Sequence, residues 1–194
     1  MLIREELPQE HAAIADVTAK AFANMEHSDQ TEPAIIAKLR KAGALSLSLV
    51  SIDGGDVVGH AAFSSVTIDE ADHGWFGLGP VSVRPDRQGQ GIGGLLIRQG
   101  LSELRARGAC GCVVLGDPAY YQRFGFENDA ALYYVNAPSQ FFMRLSFVER
   151  APAGRVQYHP AFGDVAQENG SLLLSGVGSQ GGASVRSPGS VRAD

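Results

Sequence analysis

Four glycines fall within six positions, Gly89, Gly91, Gly93 and Gly94, between a short apolar alternation and a run of helical spacing. No other stretch restricts the chain so tightly. Upstream, Val81, Ser82 and Val83 suit a strand. Arg84-Pro85 stops it, because proline has no N–H for a sheet ladder and restricts the residue before it. Downstream, Leu95, Leu96, Ile97, Leu101 and Leu104 recur at the period of an amphipathic helix. Residues 78–94 therefore read as strand, glycine-rich turn and helix N-terminus.

The first turn of a helix carries N–H groups with no partner inside the helix, and the macrodipole adds about half a positive charge there. Glycines remove the side chains that would hold a ligand away from those amides, so the turn makes a backbone cradle for phosphate. Arg84 and Arg87 precede it and are placed to add charge-assisted contacts. The plainer alternative is a turn that only lets the helix pack closely on a sheet.

Two other phosphate loops fit less well. Gly89-x-Gly91-x-x-Gly94 matches a dinucleotide fingerprint, and Asp117 follows at about the distance, roughly 20 residues, expected of a ribose-binding acid. In that fold, however, the first glycine follows its strand almost directly. Here residues 84–88 intervene with a proline among them, and too little chain follows Asp117 to continue alternating strands and helices. An ATP-type loop is excluded because no Lys-Ser or Lys-Thr follows the glycines.

The rest of the chain is read around this stretch. Residues 2–5 suit a strand. Ile14, Val17, Ala21 and Phe22 lie on one side of a helix over 11–22 with Pro8 before it, and after a polar break at 26–30 Thr31 is placed to cap a second helix over 32–42 that Gly43 ends. Leu45, Leu47 and Leu49 alternate with serines, as in a half-buried strand over 45–52; Asp53-Gly54-Gly55-Asp56 is a hairpin turn and 57–68 the return strand. Residues 69–74 read as an acidic loop and 75–83 as the strand into the glycine turn. The third helix spans about 91–107 and stops at Gly108. The nearly continuous apolar run 110–115 predicts a buried parallel strand reached by a right-handed crossover. Pro118 opens a short helix that Gly125 ends, and 132–134 and 142–148 are further strand candidates.

The domain is assigned to residues 1–163, and the Gly/Ser-rich stretch 164–194 to a flexible or loosely docked extension. A net charge of −5, with no run of Lys or Arg, argues against nucleic acid as a partner. No apolar run approaches the roughly 20 residues of a membrane span, and Arg4, Glu5 and Glu6 do not suit a signal peptide, so a cytoplasmic protein is expected. Cys110 and Cys112, the only cysteines, face the same way on one predicted strand. They cannot easily bridge, and they lack further ligands for a metal, so none is expected.

Gln88-x-x-Gly91-x-Gly93 after a strand, with Tyr121-x-x-x-Gly125-Phe126 one strand later, resembles the GNAT superfamily of N-acetyltransferases. The run Gly116-Asp117-Pro118-Ala119-Tyr120-Tyr121-Gln122-Arg123-Phe124-Gly125-Phe126 is similar to that of a branch of small bacterial members. The resemblance implies a mixed α/β fold with a central, mostly antiparallel sheet, a splayed parallel pair and flanking helices. It also implies acetyl-CoA as cosubstrate. Arg87, Gln88, Gly89, Gln90, Gly91, Ile92 and Gly93 would hold the pyrophosphate, and Val81, Ser82 and Val83 the pantetheine arm. Pro80 cannot donate a hydrogen bond, so the N–H of Val81 or Val83 is the candidate for polarising the thioester carbonyl.

Tyr121 resembles the family's general acid; a phenol of pKa about 10 holds its proton at neutral pH and can yield it to a thiolate. The plainer alternative is a core tyrosine, and Tyr120 is read as packing or substrate-side. The expected acceptor is a primary amine on a small molecule or peptide, and a homodimer stays open. Many relatives place a carboxylate on the strand before the loop, whereas 75–83 has none. Glu70, Asp72, His73, His60 and Asp117 are all conceivable bases, and none is assigned. The alternative function is a catalytically weak acyl-CoA-binding sensor.

Overall fold

Alternating apolar residues joined by tight turns build one long meander. In the computed structural model, which describes residues 1–23, 30–163 and 175–176, strand β1 (Leu2–Glu5) pairs antiparallel with β2 (Leu45–Asp53), β2 with β3 (Asp56–Ile68), and β3 with β4 (Ala71–Val83). Gly54 and Gly55 turn β2 into β3 with φ of 60° and 92°, values that glycine adopts without steric cost. The β3–β4 turn differs from expectation. The loop predicted over 69–74 shrinks to Asp69-Glu70, both at positive φ, and β4 begins at Ala71. Backbone and carboxylate bonds between Asp69 and Arg155, each 2.9 Å, hold the turn.

Helix α1 (His11–Phe22) and helix α2 (Glu32–Lys41) follow the predicted positions, although Thr31 occupies the N-cap of α2 without a side-chain capping bond. They cover one sheet face. Ile14, Val17 and Ile36 pack on Val50 and Val57, while Ile35 and Leu39 join Val66, Trp75 and Val113. Helix α3 (Ile92–Ala106) covers the other face, burying Leu96, Ile97, Leu101 and Leu104 against Leu49, Phe63, Leu78 and Val81. Gly100 permits this closeness, since a Cβ there would collide with the Phe63 ring.

Through α3 the chain crosses to β5 (Gly111–Leu115), which runs parallel to β4 from Trp75 to Leu78. Helix α4 (Pro118–Tyr121) follows, capped by the Asp117 side chain, and its extension closes at Gly125 with φ of 91°. Strands β6 (Leu132–Tyr133) and β8 (Gly154–Gln157) form a small parallel pair, β8 also joining the end of β3, and β7 (Phe142–Ser146) pairs antiparallel with β5. The main path is β1-β2-β3-β4-β5-β7, the mixed α/β, mostly antiparallel sheet expected, with a parallel pair at its centre.

One irregularity decides where a ligand can enter. Val81 lies opposite Ala61, and Leu78 opposite Phe63, so β4 carries one extra residue at Gly79-Pro80. The bulge coincides with the end of pairing to β5, and residues 79–83 leave that neighbour. On the freed edge, β9 (Ser175–Gly176) runs parallel to Val81 and Ser82. The remainder of the extension, including the apolar 172–174, and residues 24–29 of the polar break lie outside the described residues.

Candidate functional site

The turn that β4 delivers has the conformation its glycines allow. Gly89 and Gly91 sit at φ of 75° and 80°, in the left-handed region, and a Cβ on either would meet nothing within 4 Å. Gly91 is the N-cap of the 15-residue helix α3, and its carbonyl accepts the first helical bond, from Leu95 N–H at 3.0 Å. The amides that follow it open onto a cleft of about 730 Å³. Its walls are Val83, the whole run from Arg87 to Leu95, and Arg98 on one side, with Asp117, Tyr120, Arg123 and Phe124 opposite.

The arginines divide differently from the sequence expectation. Arg84 pairs with Asp86 at 2.7 Å and does not line the cleft. Arg87 does line it, but is held by Asp53 at 2.6 Å and by Gln90 at 3.1 Å. Two cations that the sequence reading missed stand on the walls: Arg98 lies 5.0 Å over the Phe124 ring, and Arg123 lies 4.6 Å over Tyr120. Arg98 follows Gly91 by seven residues, two helical turns on, a spacing that could have placed it on the same face of α3. Gln88 donates its side-chain amide to Val83 C=O at 3.1 Å, so the side chain fastens the strand end while its backbone lines the cleft.

Val81, Ser82 and Val83 are buried through their side chains, the valines beneath α3 and Ser82 against Thr18 Oγ1 of α1 at 3.1 Å. Their contribution to a ligand is confined to the backbone. Tyr121 is fully buried, in the same cluster as Val81, Val83 and Val114 that flank the gap between β4 and β5. Its ring lies 5.9 Å from that of Phe126 and 5.1 Å from that of Tyr120. Tyr120 is half-buried and faces the cleft; burial pushes its phenol up from the ordinary value, against the opposing pull of Arg123, so it stays protonated.

The candidate bases separate clearly. The Asp117 carboxylate accepts Ala119 N–H at 2.9 Å as a helix cap, and Asp72 accepts Gly74 N–H at 2.8 Å at the start of β4. Glu70 is 81% exposed at the far hairpin, and His73 is exposed on β4. His60 alone is buried beside the lower part of β4, opposite Ser82. Burial, partly offset by Glu6, brings its pKa down to about 4, so the imidazole is neutral near pH 7. Among the described residues no group of three or more His, Cys, Asp or Glu side chains could hold a metal, and no helix is long and apolar enough to cross a membrane.

A bulged strand that parts from its parallel neighbour and delivers a left-handed glycine turn to a helix N-terminus defines the GNAT class of acyltransferases. A family model described as Acetyltransferase (GNAT) domain matches residues 45–128. The chain is 38% identical over 128 residues to the uncharacterized N-acetyltransferase YhbS of Escherichia coli K12, covering 66% of this chain and 74% of that protein. Among solved structures it resembles a GNAT family acetyltransferase from Brucella melitensis in complex with acetyl-CoA, at 51% identity and a TM-score of 0.76, covering 83% of this chain and 97% of that one. The E. coli YhbS structure in complex with CoA matches at 33% identity with the same TM-score, covering 83% and 91%. The chain belongs to the GNAT acetyltransferase family. These comparisons give no support to the alternative of a coenzyme sensor.

Proposed function

We propose that the protein transfers the acetyl group of acetyl-CoA to a primary amine on a small molecule or peptide. The observation that carries this is the pair of left-handed glycines opening helix α3 at the end of a strand whose outer edge has parted from β5. The amides of residues 88–93 would hold the pyrophosphate, with Arg98 and Arg123 supplying charge on the walls. Backbone groups of Val81 and Val83 would align the pantetheine arm, and one of their N–H groups would face the carbonyl where negative charge builds. The coenzyme supplies the activated acyl carbon and a thiolate leaving group. Tyr121 packs among the residues flanking the gap and would return a proton to that thiolate.

The test pairs two glycines of similar φ. Gly91→Ala adds a methyl directed into the cleft, whereas Gly43→Ala adds one into open space beyond α2 at φ of 66°. Both carry left-handed strain of about 1–2 kcal/mol. Isothermal titration with acetyl-CoA is expected to show at least tenfold weaker binding for Gly91→Ala and unchanged binding for Gly43→Ala; equal affinities would remove the cradle from the reading. Tyr121→Phe should lower thiol release while sparing coenzyme affinity.

A further inference from the structure

The arginines around the glycine turn are of two kinds. Arg84 and Arg87 are each paired with a carboxylate, Asp86 at 2.7 Å and Asp53 at 2.6 Å, and so add little net charge to the site. Arg98 and Arg123 have no acidic partner among the described residues, and both line the cleft. Each is stacked on an aromatic face instead, Arg98 over Phe124 at 5.0 Å and Arg123 over Tyr120 at 4.6 Å. The two rings meet edge to face, 5.5 Å apart, so cation, ring, ring and cation form one layer along the wall. An aromatic face orients a guanidinium without neutralising it. Asp117, the carboxylate on that wall, accepts Ala119 N–H at 2.9 Å and pairs with neither arginine. In a chain of net charge −5, two uncompensated cations facing one cleft draw an anion into it.

Their height along α3 says which anion. A Cβ on Gly94 would lie 3.6 Å from the Phe124 ring, and Arg98 covers that ring. Side chains lean toward the N-terminus of their helix, so the Arg98 guanidinium stands about one turn, roughly 5 Å, past Gly91. The pyrophosphate of the coenzyme is matched by the amides of residues 88–93. Coenzyme A carries a third phosphate, a monoester on the 3′ oxygen of the same ribose whose 5′ oxygen bears the pyrophosphate. A phosphomonoester offers three acceptor oxygens and a charge of about −1.5 to −2 at pH 7. Forked guanidinium donors suit such a group, and a sugar's width separates it from the turn.

We propose that Arg98 and Arg123, oriented by Phe124 and Tyr120, are specificity-determining residues that bind the ribose 3′-phosphate, so that the protein distinguishes coenzyme A from its 3′-dephospho form. This rests on the acyltransferase reading and extends its coenzyme site. The thioester end of the coenzyme lies toward Val81 and Val83, on the other side of the turn, so the two arginines act on affinity and not on the transfer step.

The experiment titrates coenzyme A and 3′-dephospho-coenzyme A by calorimetry into the full chain, as wild type, Arg98→Gln, Arg123→Gln and the double variant. Both positions are exposed, and the changes leave the core intact. The wild type is expected to favour coenzyme A by on the order of 100-fold. Each single substitution should weaken coenzyme A about tenfold and 3′-dephospho-coenzyme A by less than about twofold, and the double variant should bind the two ligands alike. A wild type that binds both ligands equally overturns the proposal, as does an equal loss for both ligands in the variants, which would move the arginines to the pyrophosphate. Phosphorus-31 spectra give a second readout. The 3′-phosphate resonance of coenzyme A should be displaced by the wild type and return toward its free position on the double variant, with the pyrophosphate resonances unmoved between the two proteins; the converse refutes the assignment. Failure of the acyltransferase reading would look different, since the wild type would then bind neither ligand.

Discussion

Acid should loosen this fold in a window set by one buried ring. In the unfolded chain an imidazole titrates near 6.5, whereas His60 in the fold is brought to about 4 by burial. A base with a lowered folded pKa binds protons first in the unfolded state, so its effect on stability is nil above about pH 6.5. Stability then falls progressively toward pH 4 and levels off below it. The difference of some 2.5 units corresponds to about 3 kcal/mol at 1.36 kcal/mol per unit, a large share of the 5–15 kcal/mol typical of a domain.

Glu6 pulls in the same direction but lower. Burial raises the pKa of its carboxyl, but Arg40, Ser48 and His60 together outweigh that and leave it below the ordinary range, so its contribution is lost only as pH falls through that depressed value. The interval from 6.5 to 4.5 therefore isolates His60. Urea unfolding of the wild type at pH 7, 5.5 and 4.5 should show the midpoint dropping by about 1–2 M at an unchanged slope, given about 1–3 kcal/mol per M for such domains. His60→Gln keeps a donor for Ser48 but has no proton to gain, and its midpoint should be flatter over the same interval. If the two proteins lose stability in parallel, the reasoning about the buried ring is wrong.

Three further outcomes follow from the geometry. Ending the chain after Gly163 removes Ser175 and Gly176 from the edge of β4 opposite Val81 and Ser82. If the pantetheine arm uses that edge, acetyl-CoA binding by calorimetry should tighten at least severalfold, and unchanged affinity would place the arm elsewhere. Gly100→Ala forces a Cβ into the Phe63 ring beneath α3 and should cost about 1–3 kcal/mol in urea unfolding, with near-normal kinetics in the folded fraction. Arg98→Ala should weaken coenzyme binding and reduce its dependence on salt, whereas Arg84→Ala, paired with Asp86 outside the cleft, should change neither.

What could be read in advance was what depends on neighbours in the chain. The strand, proline break and glycine run at 78–94 define a local conformation, and the structure reproduces it down to the left-handed glycines. The period of α3 and the apolar run of β5 were legible for the same reason. Strand β6 was anticipated within 132–134, but β8 and the pairing of the two were not, because four residues with little alternation carry almost no periodic signal. Asp69-Glu70 was read as part of a longer loop because two acidic residues suggest solvent and neither suggests positive φ; the turn depends on Arg155, 86 residues beyond Asp69. Arg98 and Arg123 share a cleft only because the turn after α4 brings Phe124 up to α3, under Arg98 and beside Gly94. The serines alternating with Leu45, Leu47 and Leu49 looked like a solvent face. Ser46 is indeed exposed, yet further along the strand α1 and α2 cover that face, and Ser48 is buried beside His60. A polar strand position does not reveal whether water or a helix lies above it.

Backbone accounting explains why these features meet on one strand. Every N–H and C=O of a buried strand needs a partner, and β4 satisfies one edge along its length with β3. Its other edge is paired with β5 only as far as Leu78. The extra residue at Gly79-Pro80 re-aims the strand at that point, and proline contributes no N–H to a place where β5 could not receive one. Val81 to Val83 are then left with side chains committed to the interior and an edge open to any extended ligand of suitable hydrogen-bonding pattern. A pantetheine arm, with its two amides, is such a ligand, and so is the backbone of Ser175–Gly176. Two occupants of one edge exclude each other. If the coenzyme takes that edge, as proposed, its affinity in the full chain is the difference between two similar backbone pairings, and the glycine turn and its arginines would decide which of them prevails.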